Sequence, residues 1–215
     1  MRDFRLYVIL DIDICNRYGN IIEIAKKVIS AGADVLQLRA KGYPDSKTVE
    51  IGRSIKSLIK EDEALFIIND RVDLTSVTGA DGVHLGQQDL SIKDARKILG
   101  VDKIIGISTH NIEEASRAEN QGADYIGIGP IFATTTKPET APLTPGILTE
   151  IKNKVGIPFV AIGGINLDNL DQILSCGVKR IAVCSAIITA RDVFAATKEF
   201  RQRLYYDPIR AGQKK

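Results

Sequence analysis

Eight short apolar runs, spaced by stretches of helical periodicity, constrain this chain more than any other feature. The runs cover residues 6–12, 35–38, 65–68, 82–85, 104–107, 125–128, 159–162 and 180–183. Between most of them the apolar residues recur at three- and four-residue intervals. Ile21-Ile22…Ala25…Val28-Ile29 is one such stretch, and Val49…Ile51-Gly52…Ile55…Leu58-Ile59 is another. Continuous apolar runs suit parallel strands buried on both faces. Asp45-Ser46, Ser91, Asn111 and Asp168 are expected helix caps, and Asn111-Ile-Glu-Glu114 reads as a capping box. Gly32, Gly79, Gly122 and Gly177 are expected to end helices in the left-handed conformation. Three of these glycines stand in related phrases, Ala31-Gly-Ala-Asp34, Thr78-Gly-Ala-Asp81 and Gln121-Gly-Ala-Asp124, and Cys176-Gly-Val178 is a looser fourth.

Eight strand–helix units in 215 residues fit a single-domain (β/α)8 TIM barrel. A doubly wound open sheet would need a glycine-rich phosphate turn after the first strand. Here that turn is Asp11-Ile-Asp-Ile-Cys-Asn16, so the barrel is preferred. The expected catalytic domain spans residues 1–207, and 208–215 is an expected frayed basic tail. A formal net charge of +2 provides no global attraction for nucleic acid or a membrane surface. No run reaches the roughly 20 apolar residues of a membrane helix, and the N-terminal residues have no signal-peptide pattern. Cys15, Cys176 and Cys184 fit neither a disulfide framework nor a zinc site, which points to a reduced cytoplasmic protein. The pattern is compatible with a monomer or a homo-oligomer.

In a barrel of this kind the chemistry gathers where the strands end. Strand alternation puts Gln37, Arg39 and Lys41 on one side, with Leu38 and Ala40 on the other. Two cations and an amide in one mouth suit a polyanion. Asp70 follows Asn69, and Asp89 lies past the next strand. Two convergent carboxylates facing a phosphate imply Mg2+, whereas Asp89 alone would read as a helix cap. Gly129-Pro-Ile-Phe-Ala-Thr-Thr-Thr-Lys137 ends an apolar strand in hydroxyls and a cation, which suits an anion better than a core. Gly163-Gly164 and Ser185 follow the last two strands, the usual phosphate site of such barrels. Ser108 offers a donor to a phosphate or a heterocycle. His84 and His110 are expected to be satisfied by packing or capping, and Cys184 is most simply a small core residue. No nucleophile stands beside a base, so the expected chemistry depends on charge stabilisation.

Taken in order, Gln37-Leu-Arg-Ala-Lys41, Asn69-Asp70, Asp81-Gly-Val-His-Leu-Gly-Gln-Gln-Asp89, Gly106-Ile-Ser-Thr-His110, Gly129-Pro-Ile-Phe-Ala-Thr-Thr-Thr-Lys137, Ala161-Ile-Gly-Gly-Ile165 and Ser185-Ala-Ile187 resemble the thiamine phosphate synthase family. The resemblance implies a transferase joining hydroxymethylpyrimidine diphosphate to hydroxyethylthiazole phosphate, with Mg-assisted dissociative loss of pyrophosphate. It implies that Gln37, Arg39, Lys41, Asn69, Ser108 and Lys137 hold the pyrimidine diphosphate, with Arg39, Lys41, Ser108 and Lys137 catalytic. Asp70 and Asp89 would hold Mg2+. Thr134, Thr135, Thr136, Gly164, Cys184 and Ser185 would surround the thiazole phosphate. The family usually has an acidic residue where this chain has Ala40; alternation aims that position at the barrel wall, so altered packing is expected there. The related thiazole tautomerase typically carries a catalytic His where this chain has Pro130. A non-catalytic phosphate-binding barrel is the other alternative, disfavoured by the Asp pair.

Overall fold

The computed structural model describes residues 3–134 and 141–206. Eight parallel strands close into a barrel in sequence order. They are β1 (Leu6–Asp11), β2 (Val35–Arg39), β3 (Leu65–Asn69), β4 (Gly82–Leu85), β5 (Ile104–Thr109), β6 (Tyr125–Ile128), β7 (Phe159–Ile162) and β8 (Ile181–Val183). Two helices follow the first strand, α1 (Ile12–Tyr18) and α2 (Ile21–Ser30). The next five gaps hold α3 (Asp45–Leu58), α4 (Val72–Thr78), α5 (Ile92–Leu99), α6 (Ile112–Asn120) and α7 (Gly146–Lys154). Then come α8 (Leu170–Ser175) after β7, and α9 (Ser185–Ile188) and α10 (Val193–Tyr205) after β8. None of the described helices is long and apolar enough to cross a membrane. Residues 207–215, which include the expected basic tail, lie outside the described residues.

The expected strands are all present, with small shifts at five ends: β2, β3 and β5 run on to Arg39, Asn69 and Thr109. The first strand ends at Asp11, not Ile12, because the Asp11 carboxylate accepts from Ile14 N and turns the chain into α1. The last begins at Ile181, not Arg180. Ser91 and Asn111 cap α5 and α6 by accepting from Asp94 N and Glu114 N. The Glu114 carboxylate reaches back to His110 N, one residue before the cap. Asp45 and Asp168 do not cap. Pro44 precedes α3 with Asp45 in its first turn, and α8 opens after Asn169. Gly32, Gly79, Gly122 and Gly177 all have positive φ, between 71° and 89°, so a side chain at any of them would strain the joint.

Alternation divides the strand residues between two cores. Leu36 and Leu38 face the helices, and partly buried Ala40 packs against that same layer. Tyr7, Ile9, Val35, Ile67, Tyr125, Val160 and Ala182 fill the barrel interior. Burying an apolar side chain contributes roughly 1.5–3 kcal/mol, and both layers consist mainly of such residues.

The Gly-Ala-Asp phrases have a second function beyond ending helices. The Asp34 carboxylate accepts from Arg5 N and Leu6 N, Asp81 from Phe66 N, and Asp124 from Ile105 N. Each therefore clamps the start of the preceding strand. Each also meets a cation from the helix packed before that strand: Arg201 on Asp34, Lys56 on Asp81 and Arg96 on Asp124. At the looser fourth joint Lys179 follows Val178, and the neighbouring Arg180 pairs with Asp3 instead. The N-terminal end of the barrel is thus laced by compensated charges.

Candidate active site at the C-terminal mouth

A cavity of about 400 Å³ opens at the C-terminal ends of the strands, within the usual range for small-ligand sites of roughly 300–1,000 Å³. It is lined by Gln37, Arg39, Lys41, Asn69, Asp70, Asp89, Ser108, Thr134, Gly164, Cys184 and Ser185. The eleven described candidates therefore converge on one space. Thr135, Thr136 and Lys137 lie outside the described residues.

One side of the cavity is set by β2 and β3. Asp11 and Arg39 are paired in register across β1 and β2, and their side chains form an ion pair. The Asp11 carboxylate is buried at 5 % side-chain exposure, and Arg39 is 19 % exposed. This pairing fixes the guanidinium on the cavity wall. Lys41 is far more exposed and stands 3.9 Å from Asp70. Its flexible stem lets it follow a ligand. Asp70 adopts φ 63°, an uncommon left-handed conformation for a non-glycine residue. Its N–H donates to His84 O at 2.8 Å, tying the turn after β3 to β4.

Asp70 lies against Asp89. Desolvation raises the Asp70 pKa to about 6, and the neighbouring Asp89 charge pushes it the same way, against the pull of Lys41 and Arg39. Two carboxylates held together at this cost call for a cation. Among the described residues no cluster of three or more His, Cys, Asp or Glu could hold a metal. The Asp70–Asp89 pair fits Mg2+, which takes one or two carboxylates and fills its remaining positions with phosphate oxygens and water. Asp89 does not cap α5, since Ser91 does; the Asp89 Oδ2 accepts from Gly86 N at 2.6 Å.

The opposite side is built from backbone. Gly163 and Gly164 have φ of 100° and 62°. A Cβ on Gly163 would strike Pro130, and one on Gly164 would strike Phe132 and Ala133 O. Ile131 N and Phe132 N donate to Ile162 O and Gly163 O, so the loops after β6 and β7 interlock. The Asn169 amide holds Gly164 O at 2.9 Å. Ser185 opens α9 beside this loop pair. Small residues and backbone amides here make an uncluttered wall for an anionic group. Pro130 lines the cavity at the position where the tautomerase alternative would need a His.

Several residues that line the cavity or stand behind its wall escaped the motif reading. Asp11 could have been found by parity, because Tyr7, Ile9 and Asp11 share the interior side of β1. His84 is indeed satisfied, but it also lines the cavity. Its Nδ1 meets the Tyr125 hydroxyl at 2.9 Å and its Nε2 meets Ser108 Oγ at 3.0 Å. Tyr7 and Tyr125 looked like ordinary core. His110 binds Glu114 through Nδ1 at 2.9 Å, a capping role at the cavity rim. Cys184 reaches both the interior core and the cavity, and burial pushes its thiol up to about 12. It is therefore no thiolate nucleophile.

Comparison with known proteins agrees with this geometry. Residues 6–187 match the family model described as thiamine monophosphate synthase. The chain is 44 % identical over 201 residues to thiamine-phosphate synthase of Halalkalibacterium halodurans, covering 93 % of this chain and 95 % of that one. It is 43 % identical over 199 residues to the Shouchella clausii protein of the same name, covering 92 % and 95 %. The solved thiamine phosphate pyrophosphorylase of Pyrococcus furiosus superposes with a TM-score of 0.85 at 40 % identity, covering 94 % and 95 %. A 3-hexulose-6-phosphate synthase structure, 17 % identical with a TM-score of 0.68 over 92 % and 98 %, shares the fold alone. With matches across nearly its whole length, the chain belongs to the thiamine monophosphate synthase family.

Proposed function

We propose that this barrel mouth condenses hydroxymethylpyrimidine diphosphate with hydroxyethylthiazole phosphate, giving thiamine phosphate and pyrophosphate. The observation that carries the reading is the two-sided cavity. Cations and paired carboxylates line its β2–β4 side, and glycine backbone and Ser185 line its β6–β8 side. One diphosphate and one monophosphate need such a division.

The bond that breaks joins the pyrimidine methylene carbon to the diphosphate oxygen, and pyrophosphate leaves with the electron pair. The bond that forms uses the lone pair of the thiazole nitrogen, which has no proton to lose. No base is required. Arg39, held by Asp11, and Lys41 meet the charge growing on the leaving group, with Lys137 in the same role. Gln37, Asn69 and Ser108 orient the pyrimidine. Thr134, Thr135, Thr136, Gly164, Cys184 and Ser185 hold the thiazole phosphate. Asp70 and Asp89 would hold Mg2+. When bound there, the ion would supply charge neutralisation for the diphosphate. Departure precedes attack, so a pyrimidine cation forms briefly. Residues 1–207 form the catalytic unit, acting on small molecules. The free thiols of Cys15, Cys176 and Cys184 suit the reducing cytoplasm.

The test is pyrophosphate release with both purified substrates present. A tautomerase or a binding-only barrel releases none. An electron-withdrawing substituent on the pyrimidine should slow the chemical step steeply; an unchanged or faster step would make attack associative.

A further inference from the structure

Five strands place a continuous polar file across the otherwise apolar barrel interior. Gln37 Nε2 donates to the Tyr7 hydroxyl at 2.7 Å. The Tyr7 and Tyr125 hydroxyls are 3.0 Å apart. Tyr125 then meets His84 Nδ1 at 2.9 Å, and His84 Nε2 meets Ser108 Oγ at 3.0 Å. Both tyrosines are buried, with 2 % and 0 % exposure. The packing makes room for them deliberately. A Cβ on Gly106 would overlap the Tyr125 ring, and one on Gly127 would press His84 at 3.3 Å. An apolar pair would fill this space more simply, and a half-satisfied buried network is costly, so the file calls for an account of what it does.

Proton counting gives the file a direction. A phenol has one proton to donate. Tyr7 accepts from the Gln37 amide, so its proton goes to Tyr125. Tyr125 accepts that bond and gives its own proton to His84 Nδ1. A neutral imidazole that accepts at Nδ1 carries its proton on Nε2, and that proton goes to Ser108 Oγ. Ser108, having accepted, has its own proton left for the cavity it lines. At the other end, committing Nε2 to Tyr7 leaves the Gln37 Oε1 acceptor for a ligand in the same cavity.

We propose that Tyr7, Tyr125 and His84 are positioning residues. Their one-way hydrogen-bond file makes Ser108 a donor and Gln37 an acceptor toward the ligand. An aminopyrimidine edge has the complementary pattern, an amine that donates beside a ring nitrogen that accepts. This deepens the substrate assignment above and rests on it. A file running the other way would offer that edge two mismatched groups. Burial holds both phenols well above their ordinary pKa, so each keeps the proton it donates along the file.

Long-range 1H–15N NMR of the full chain at pH 8 reads the tautomer directly, with His84→Gln assigning one of the two histidines. The wild type is expected to hold His84 entirely as the Nε2–H form; the Nδ1–H form would overturn the proposal without any variant. Tyr7→Phe is the sharper probe, because among the described hydrogen bonds Tyr7 reaches His84 through Tyr125. A relay predicts that this variant, like Tyr125→Phe, populates the Nδ1–H form detectably; packing alone leaves the tautomer unchanged, and that result overturns the relay.

The recognition half is read from kinetics. The substrate analogue with CH in place of the ring nitrogen beside the amine should be used roughly 10–10²-fold less well than the substrate by the wild type. That ratio should fall several-fold in Tyr125→Phe, while the analogue's electronic effect cancels between enzymes. An unchanged ratio alongside a changed tautomer overturns the role of Ser108 in recognition. If neither enzyme releases pyrophosphate, the substrate reading fails, and the tautomer spectra still decide the direction of the file.

Discussion

The two ends of this barrel use aspartate in opposite ways. At the N-terminal end Asp34, Asp81 and Asp124 each accept from backbone N–H groups and each meets a cation. Their charge is compensated locally, and nothing there needs a ligand. At the C-terminal end Asp70 and Asp89 face each other, and Asp70 is held in a left-handed conformation with its pKa raised to about 6. Lys41 stands at the edge of ion-pair distance from Asp70 and is largely exposed. The same side chain thus contributes stability where its charge is answered within the fold, and function where the answer is left to a ligand.

The largest expected effect separates the two ends by activity. Asp70→Ala or Asp89→Ala should lower Mg2+-dependent turnover by on the order of 10²–10³, with circular dichroism and melting behaviour close to the parent. Full Mg2+-dependent activity in either would remove the metal role. Asp81→Ala is the mirror experiment. It should keep kcat within about twofold yet lose about 1–3 kcal/mol of stability, because Phe66 N–H loses its acceptor. A urea melt and a rate assay on the same sample check both halves, and a large loss of kcat at normal stability would dissolve the contrast.

Within the C-terminal end, Arg39→Ala should impair use of the pyrimidine diphosphate by roughly 10²-fold. Thr134→Ala should mainly raise KM for the thiazole phosphate, by about tenfold. Steady-state kinetics with each substrate varied in turn tests the division; crossed effects would reverse the two ends of the cavity.

The smallest effect is a pH slope. A carboxyl whose folded pKa is raised binds its proton more tightly in the folded chain than in the unfolded one. Asp70 therefore opposes folding as pH rises from about 4 to about 6, and its penalty is fully present above that window. Metal-free protein should gain stability from this group on acidification across that window, and Asp70→Asn should flatten the slope. Metal binding should weaken over the same range, as protons compete for the carboxylates. A steeper slope in Asp70→Asn would assign the titration to another group.

Much of the fold was legible because its signals are local. Strand runs, helix spacing and the left-handed glycines each involve a few consecutive residues, and a parallel barrel simply repeats them. The candidate site was legible for a related reason. Parity along β2 aimed Gln37 and Arg39 inward, and Ala40 toward the helix layer where it packs. Cap positions were harder. Asp45 and Asp168 are good capping residues, yet Pro44 and Asn169 occupy the sites, because the preceding loop decides where the helix begins.

What the chain alone determined was the number of units, their order, the inward side of β2 and many of the residues that gather at the mouth. Each follows from spacing within a segment. Only the closed barrel decided that Asp11 holds Arg39, that Asp34, Asp81 and Asp124 are clamps and not merely parts of joints, and that Tyr7 meets Tyr125. The last pair is 118 residues apart in sequence. Such partnerships depend on strand register and on which side chains fill a shared interior layer, and no local period encodes either.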